Sequence, residues 1–127
     1  MKKLISLFLF FFLFSTVAVH AQEAVFIGIP FEVAYIKPGE ASYKPIPQQK
    51  QTKLMAVVSK KEGRYFWTSR ENKELSKSVS EIVTTYSSLD GSGYIKVFSA
   101  EGKSMYLEYI PYWVNSITYY GSVEKAE

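Results

Sequence analysis

The stretch SSLDGSGYIKVFS, residues 87–99, decides the fold because it fits either a calcium-binding loop or a turn between two β-strands. Asp90 and Gly93 stand at the spacing of a helix–loop–helix calcium site, but the first and twelfth positions of that loop are both Ser. Calcium loops of this kind need several carboxylates and a bidentate Glu at the twelfth position. Asp90-Gly91 between two runs of β-branched and aromatic residues is instead typical of a hairpin turn. The stretch therefore predicts two strands and no metal site.

The rest of the chain, followed outward from this turn, indicates an all-β protein. Runs rich in β-branched and aromatic residues predict strands at 54–59, 64–69, 79–87, 93–98, 104–110 and 113–120. The segment 24–36 is also apolar and extended, but Pro30 lacks the N–H that a central strand donates, so one edge strand or two short strands are expected. The predicted fold is a small antiparallel barrel or sandwich of about six to seven strands, forming one domain over residues 22–127.

Two segments lack a clear strand pattern. Residues 37–53 hold three of the five prolines and no apolar periodicity, which predicts a Pro-rich loop. A capping box over Thr68–Glu71 and helically spaced apolar residues from Leu75 favour a helix, whereas the β-branched residues of 79–87 favour a strand. We expect a loop or a single helical turn at 69–77, followed by the strand at 79–87.

The hairpin between the strands at 93–98 and 104–110 can close in two registers. A two-residue turn at Glu101-Gly102 places Ile95 opposite Glu108, which mixes charged and apolar residues on one face. A three-residue loop instead pairs Ile95 with Leu107 and keeps that face apolar. The second register is the predicted one.

The first 21 residues have the three parts of a secretory signal peptide. Lys2 and Lys3 supply the charged start, an apolar run extends from Leu4 to Val19, and Val19-His20-Ala21 has the small residues of a cleavage site. The apolar run is shorter than the roughly 18–20 residues that span a bilayer, and no second run of that length follows. We expect a Sec-type signal at 1–21, no membrane span after cleavage, and a periplasmic or secreted protein.

The composition left after removal of such a signal excludes several chemistries. The single His, His20, lies in the signal and the sequence has no Cys. These facts exclude Ser-His-Asp and Cys-His nucleophile systems, disulfides, and metal sites with His or Cys ligands. Loss of Lys2 and Lys3 lowers the net charge from +3 to about +1, so no nucleic-acid surface is expected. No cofactor is predicted.

Aromatic residues supply the candidate binding sites. The stretch YFWTSREN, residues 65–72, contains Trp67 and Arg70, residue types that dominate interaction sites, although Trp67 is equally suited to the core of a strand. In the predicted register, Tyr94, Tyr106 and Tyr120 share a second, Tyr-rich face of the sheet. That face is either a binding surface or, where other strands cover it, a second core.

These observations predict an exported, non-enzymatic domain that binds a protein or an envelope glycan. Two other classes stay open. A small Glu- or Tyr-based envelope hydrolase needs two carboxylates across a cleft, drawn from Glu71, Glu74, Glu81 and Glu108. A structural envelope protein would donate the segment 24–36 as a strand to another chain.

Overall fold

Nine β-strands make up most of the computed structural model, which describes residues 22–127; the signal expected at 1–21 lies outside the described residues. The strands are β1 (Glu23–Lys37), β2 (Glu40–Pro45), β3 (Ala56–Lys61), β4 (Arg64–Trp67), β5 (Lys73–Val79), β6 (Val83–Ser88), β7 (Tyr94–Ala100), β8 (Lys103–Tyr112) and β9 (Asn115–Ala126). A short helix, α1 (Gln48–Gln51), and a 3₁₀ turn (Thr52–Leu54) connect β2 to β3. The predicted all-β class is confirmed, with more strands than expected. Within residues 22–127, no helix has the length and apolar character needed to cross a membrane.

The sheet closes on itself as an antiparallel barrel. Each strand from β3 to β9 pairs with the next, β1 pairs with β3, and β1 also pairs with β9 to complete a barrel of eight strands. The ninth strand, β2, lies beside residues 32–37 of β1, on the same edge where β3 pairs with residues 23–28. Of the two predicted architectures, the barrel is the one that forms.

β1 is the strand that closes the barrel, and the expectation of one edge strand or two short strands is wrong. It runs without a break, and its ladder with β9 shifts register just after Pro30. Pro30 also falls between the part of β1 that pairs with β3 and the part that pairs with β2. In that gap the Phe31 carbonyl accepts a hydrogen bond from the Ile46 N–H at 2.9 Å. The proline is thus accommodated at an irregularity inside one long strand.

The Pro-rich loop predicted at 37–53 contains two regular elements, β2 and α1. Gly39, with φ 76°, turns the chain back so that Glu40–Pro45 pairs with the end of β1. Local composition hid this strand because its pairing partner, rather than its own side chains, stabilises it.

The loop or helical turn predicted at 69–77 is also wrong, because most of that segment is β5. The strand expected at 79–87 begins only at Val83, as β6. Leu75 is buried in β5, with Tyr65 opposite it on one side and Ser88 on the other. Pairing on both sides outweighs the helical spacing of the apolar residues.

The β7–β8 hairpin closes in the register that the sequence disfavoured. Its turn is Glu101-Gly102, with φ values of 53° and 77°, and it places Ile95 opposite Glu108. Glu108 therefore faces the barrel interior, and the predicted pairing of Ile95 with Leu107 does not form. The charged side chain is tolerated there because the Trp67 indole donates a hydrogen bond to it.

Side chains fill the barrel interior. The rings of Phe26 and Tyr106 meet edge to face, with centroids 5.5 Å apart, and Gly28 and Gly121 leave the space that the Tyr106 ring occupies. The buried apolar cluster consists of Val25, Phe26, Ala56, Val58, Trp67, Leu75, Tyr86, Ile95 and Tyr106. Because the sequence has no Cys, this packing takes the stabilising role that disulfides have in many small exported domains.

Residues 89–93 form the turn between β6 and β7, in agreement with the hairpin interpretation. The Asp90 carboxylate accepts a hydrogen bond from the Ser92 N–H at 2.9 Å and pairs with Lys73 Nζ at 2.9 Å. The hydrogen bonds to Ser92 and the contact with Lys73 hold the pKa of Asp90 below its usual range. The one carboxylate of the turn is therefore engaged within the fold.

Gly93 sets how closely β7 approaches the core. Its φ is 143°, and a Cβ at this position would collide with the Tyr109 carbonyl and lie 3.0 Å from the Trp67 ring. Only Gly adopts this conformation readily, and only Gly leaves room for the indole.

We expect Gly93→Ala to lower the free energy of unfolding by about 3 kcal/mol or more, since the methyl group adds overpacking to backbone strain. Gly91→Ala is the matched control, because Gly91 has φ 77° but open space around its missing Cβ. The control should lose only about 1 kcal/mol. Urea unfolding of both variants measures the difference, and equal losses would contradict the close packing of Gly93 on Trp67.

Candidate functional site

A buried hydrogen bond joins Trp67 at the end of β4 to Glu108 on β8. The indole Nε1–H of Trp67 donates to Oε2 of Glu108 across 2.8 Å, and the two residues are 0% and 4% exposed. A buried indole N–H needs an acceptor and a buried carboxylate needs a donor, so each residue satisfies the other.

Burial raises the pKa of Glu108 from 4.5 to about 7, because the barrel interior disfavours the charged form. The Trp67 hydrogen bond and the charge of Arg70 act in the opposite direction and cancel part of this effect. Glu108 therefore changes its protonation state near neutral pH, well above the range of an ordinary glutamate.

Arg70 lies in the turn after β4, where its N–H donates to the Trp67 carbonyl at 2.9 Å. Its guanidinium lies over the indole, with Cζ 5.1 Å from the Trp67 ring centroid, which is a cation–π contact. The Nη1 atom of Arg70 is buried and has no hydrogen-bond partner. The fold thus leaves a buried cationic donor unpaired, at a free-energy cost of about 1–3 kcal/mol or more.

A cavity of about 210 Å³ adjoins Arg70 and Glu108 at the end of the barrel where β1, β4, β6 and β8 finish. We call this end the mouth. Two cations, one carboxyl group, two hydroxyls and three apolar side chains line the cavity: Lys53, Arg70, Glu108, Ser69, Tyr119, Leu54, Met55 and Ile110. Burial raises the pKa of Tyr119 above its ordinary value of 10, so its hydroxyl keeps its proton at neutral pH.

A polar cluster around Glu127 covers the opposite end of the barrel. The Glu127 carboxylate accepts hydrogen bonds from Lys77 Nζ and the Tyr65 hydroxyl, both at 2.7 Å, and Lys60 Nζ lies 3.5 Å away. The hydrogen bonds from Lys77 and Tyr65 lower the pKa of Glu127 to about 2. The polar groups of this cluster satisfy one another, whereas the mouth retains a buried nitrogen of Arg70 without a partner.

The rim of the mouth carries exposed hydrophobic side chains. Trp113 and Val114 form the turn between β8 and β9 and are 92% and 77% exposed, and Tyr112 beside them is also exposed. Leu89, in the turn after β6, is exposed at the same end. Trp113 also has φ 60°, a left-handed conformation that costs a non-glycine residue about 1–2 kcal/mol.

Trp67 and Arg70, the two candidates from the YFWTSREN stretch, lie together in the structure but in different settings. Trp67 is a core residue, as one of the two interpretations of the stretch had it, and only Arg70 lines the cavity. Tyr119 and Ile110 were not expected at a site, because their approach to Arg70 depends on the register of β8 and β9.

The predicted Tyr-rich face forms only in part, because the register of β8 differs from the prediction. Tyr106 points into the barrel and is fully buried, whereas Tyr94 and Tyr120 alternate to the outer surface. Tyr94 is stacked on Tyr109 with ring centroids 4.9 Å apart, and Lys96 Nζ lies 5.2 Å from the Tyr94 centroid.

The four glutamates considered for hydrolase chemistry are spread over the barrel. Glu108 lines the cavity, while Glu74 pairs with Arg64, whose Nε lies 3.1 Å from Oε2. Glu71 and Glu81 are exposed in turns. The cavity lining thus contributes one carboxyl group, whereas glycosidases use two across a cleft.

No protein-family model, curated protein or solved structure matches this chain significantly. What the site can do therefore follows from its own geometry. It offers an unpaired guanidinium N–H and a carboxyl group that holds a proton near neutral pH, at the same end of the barrel as exposed hydrophobic side chains. Groups of this kind bind and orient a ligand.

The raised pKa of Glu108 predicts that stability falls as the pH rises from about 4.5 to 7. In that window the native state holds a proton that the unfolded chain releases, so unfolding becomes easier with increasing pH. Between pH 5 and pH 8 the free energy of unfolding should drop by roughly 2–3 kcal/mol. Glu108→Gln, which cannot ionise and still accepts the Trp67 hydrogen bond, should remove most of this drop.

Urea unfolding at both pH values measures the effect, with Glu124→Gln as a control that removes an exposed glutamate of β9. The control should show the same drop in the free energy of unfolding with pH as the wild-type protein. A wild-type protein whose stability is flat or rises across this window would contradict the buried position of Glu108.

The buried Tyr106 hydroxyl has no hydrogen-bond partner, so its removal should not destabilise the barrel. We expect Tyr106→Phe to leave the free energy of unfolding unchanged or to raise it by up to about 1 kcal/mol. Tyr65→Phe removes a hydroxyl that is bonded to Glu127 and should cost about 1 kcal/mol. A clear loss of stability in Tyr106→Phe would show that this hydroxyl has an acceptor.

Proposed function

We propose that this chain is an exported, non-enzymatic binding domain that holds a protein partner at the mouth of its barrel. The observation that carries the proposal is the strained and exposed turn formed by Trp113 and Val114. Export rests on the signal pattern at 1–21.

The Trp113 turn is unfavourable in two independent ways. Its φ of 60° is one that Gly adopts more readily than Trp. The turns at Glu62-Gly63 and Glu101-Gly102 also begin with a residue at positive φ, but Gly follows it there, whereas Val114 follows here. Its side chain also exposes a large hydrophobic surface to water, next to exposed Tyr112 and Val114. A residue that costs stability through both backbone and side chain is typical of a functional position, and grouped exposed hydrophobic residues mark interaction surfaces.

The residue types at the mouth match those of protein interfaces. Trp, Tyr and Arg contribute most of the affinity at such interfaces, and Trp113, Tyr112 and Arg70 all lie at this end. A projecting hydrophobic turn beside a polar cavity suits a partner that buries the turn and places one polar group in the cavity.

Other functions receive less support. The tyrosines expected to form a glycan surface are not all free, since Tyr94 is stacked on Tyr109 and Tyr106 is buried. A hydrolase needs a second carboxylate beside Glu108. A strand donor would have to release β1, which is paired with other strands along both edges.

Trp113→Gly tests the proposal without weakening the fold. Gly relieves the strain of the turn and removes the aromatic side chain, so the melting temperature should stay unchanged or rise. The purified protein, tagged and mixed with solubilised envelope from its own cells, should lose its partner in this variant. Ile82→Ser is the matched control, because it removes an exposed hydrophobic residue from the opposite end of the barrel.

Support for the proposal is one stoichiometric protein that wild type and Ile82→Ser retain and Trp113→Gly loses. Retention of that protein by Trp113→Gly, or retention of the domain on cell-wall glycan with no protein partner, would overturn it.

A further inference from the structure

We infer that the cavity between Arg70 and Glu108 binds a small oxyanion, a carboxylate or a phosphate, through the guanidinium of Arg70. The inference rests on the proposed function for its setting, since the cavity lies at the same end of the barrel as the exposed Trp113 turn. It adds the chemical class of the group that enters the cavity.

The unpaired guanidinium of Arg70 is the first reason for this inference. A guanidinium presents its N–H donors in a planar fork that matches the oxygens of a carboxylate or phosphate. One prong of that fork, Nη1, is buried without an acceptor. Nη1 itself has no accessible surface on the cavity, so a ligand there would meet the other nitrogens of this guanidinium, which have no hydrogen-bond or salt-bridge partner among residues 22–127. A guanidinium that lines a cavity without any acceptor is best explained by a partner that comes from outside the fold.

The orientation of Arg70 is the second reason. The cation–π contact with the Trp67 ring, at 5.1 Å, holds the guanidinium beside the cavity, and the backbone bond from Arg70 N–H to the Trp67 carbonyl fixes its turn. Trp67 itself is fully buried and held by Glu108. A donor held in place before the ligand arrives loses less entropy on binding.

The charge of the cavity is the third reason. Lys53 and Arg70 contribute two positive charges, and Glu108 is the single carboxyl group of the lining. The Glu108 carboxyl is buried and shares Oε2 with the Trp67 indole, and its protonated form removes the one negative charge near neutral pH. A protonated Glu108 can also donate a hydrogen bond to an anionic oxygen.

The size and walls of the cavity limit the ligand to one small group. A volume of about 210 Å³ is below the roughly 300–1,000 Å³ of sites for drug-sized molecules. Leu54, Met55 and Ile110 provide apolar walls beside the polar end. An acidic side chain, a short organic acid or a phosphate group fits this arrangement.

Tryptophan fluorescence gives a direct test, because the chain has two tryptophans, Trp67 and Trp113. Trp113→Gly therefore leaves Trp67, directly beneath Arg70, as the single reporter. Sodium acetate, sodium succinate and sodium phosphate are titrated separately into this purified variant at constant ionic strength, with chloride as the balancing salt. At least one of the three should produce a saturable change in Trp67 emission.

Arg70→Gln, added to this background, should weaken the saturable binding by roughly ten- to hundredfold, the range of a charge-assisted hydrogen bond. Arg70→Lys keeps the positive charge but loses the planar pair of N–H donors, so it should retain only part of the affinity for the anion. Lys96→Gln is the matched control, since it removes one exposed cation on the outer surface and should bind as the background does.

Binding should also weaken when the pH rises from 6 to 8, because Glu108 becomes anionic. The titratable and charged groups around it are Arg70 from the turn after β4, Tyr119 from β9 and Tyr106 from β8. Lys53 from the 3₁₀ turn lines the same cavity. Replacement of Glu108 by Gln should abolish this pH dependence while keeping the response to the anion.

A response to acetate or succinate alone identifies a carboxylate ligand, and a response to phosphate alone identifies a phosphate. No saturable response to any of the three, or one that Arg70→Gln leaves intact, overturns the inference. Capture of a protein through Trp113 without an anion response would leave the proposed function standing and this inference refuted. An anion response without a protein partner would leave this inference standing and refute the proposed function.

Discussion

The hydrogen bond between the Trp67 indole and the Glu108 carboxylate links the core of the barrel to its candidate site. It allows a charged residue to face the interior, and this fixes β8 in a register that an apolar pattern disfavours. It holds the indole on which Arg70 lies, and Gly93 provides the space that the indole needs. Without this bond, the buried carboxyl group and the indole N–H would each lose the partner that makes its burial tolerable.

The two ends of the barrel differ in how their polar groups are satisfied. Around Glu127 the carboxylate, two lysines and a tyrosine form hydrogen bonds with one another, so none of these groups lacks a partner. At the mouth, Glu108 accepts a hydrogen bond from the core residue Trp67, while Arg70 retains a buried donor without an acceptor. The strained Trp113 turn lies at that same end. Two separate costs in stability thus meet at one end, as expected where a fold has been shaped for binding.

Sequence patterns predicted the all-β class and the hairpin turn at Asp90-Gly91, and they indicated that Trp67 suits the core of a strand. They failed where the answer depended on partners distant in the chain. The predicted register of β8 was wrong because the hydrogen-bond donor to Glu108 lies on β4. Nothing near Glu108 in the sequence indicates that donor. The predicted Tyr-rich face lost Tyr106 for this reason, since a shift of one residue turns that side chain from the outer surface to the core. The cavity was missed for the same reason, as its lining comes from four separate parts of the chain.

Closure of the barrel by β1 and β9 has a consequence for how the protein folds. These are the first and last strands described, so the ladder that seals the barrel joins residues separated by most of the chain. Contacts of such long range slow folding, because the entropy of a large loop is lost before the contact forms. The barrel therefore cannot close before β9 has been synthesised, and until then both edges of the sheet lack the partner that seals them.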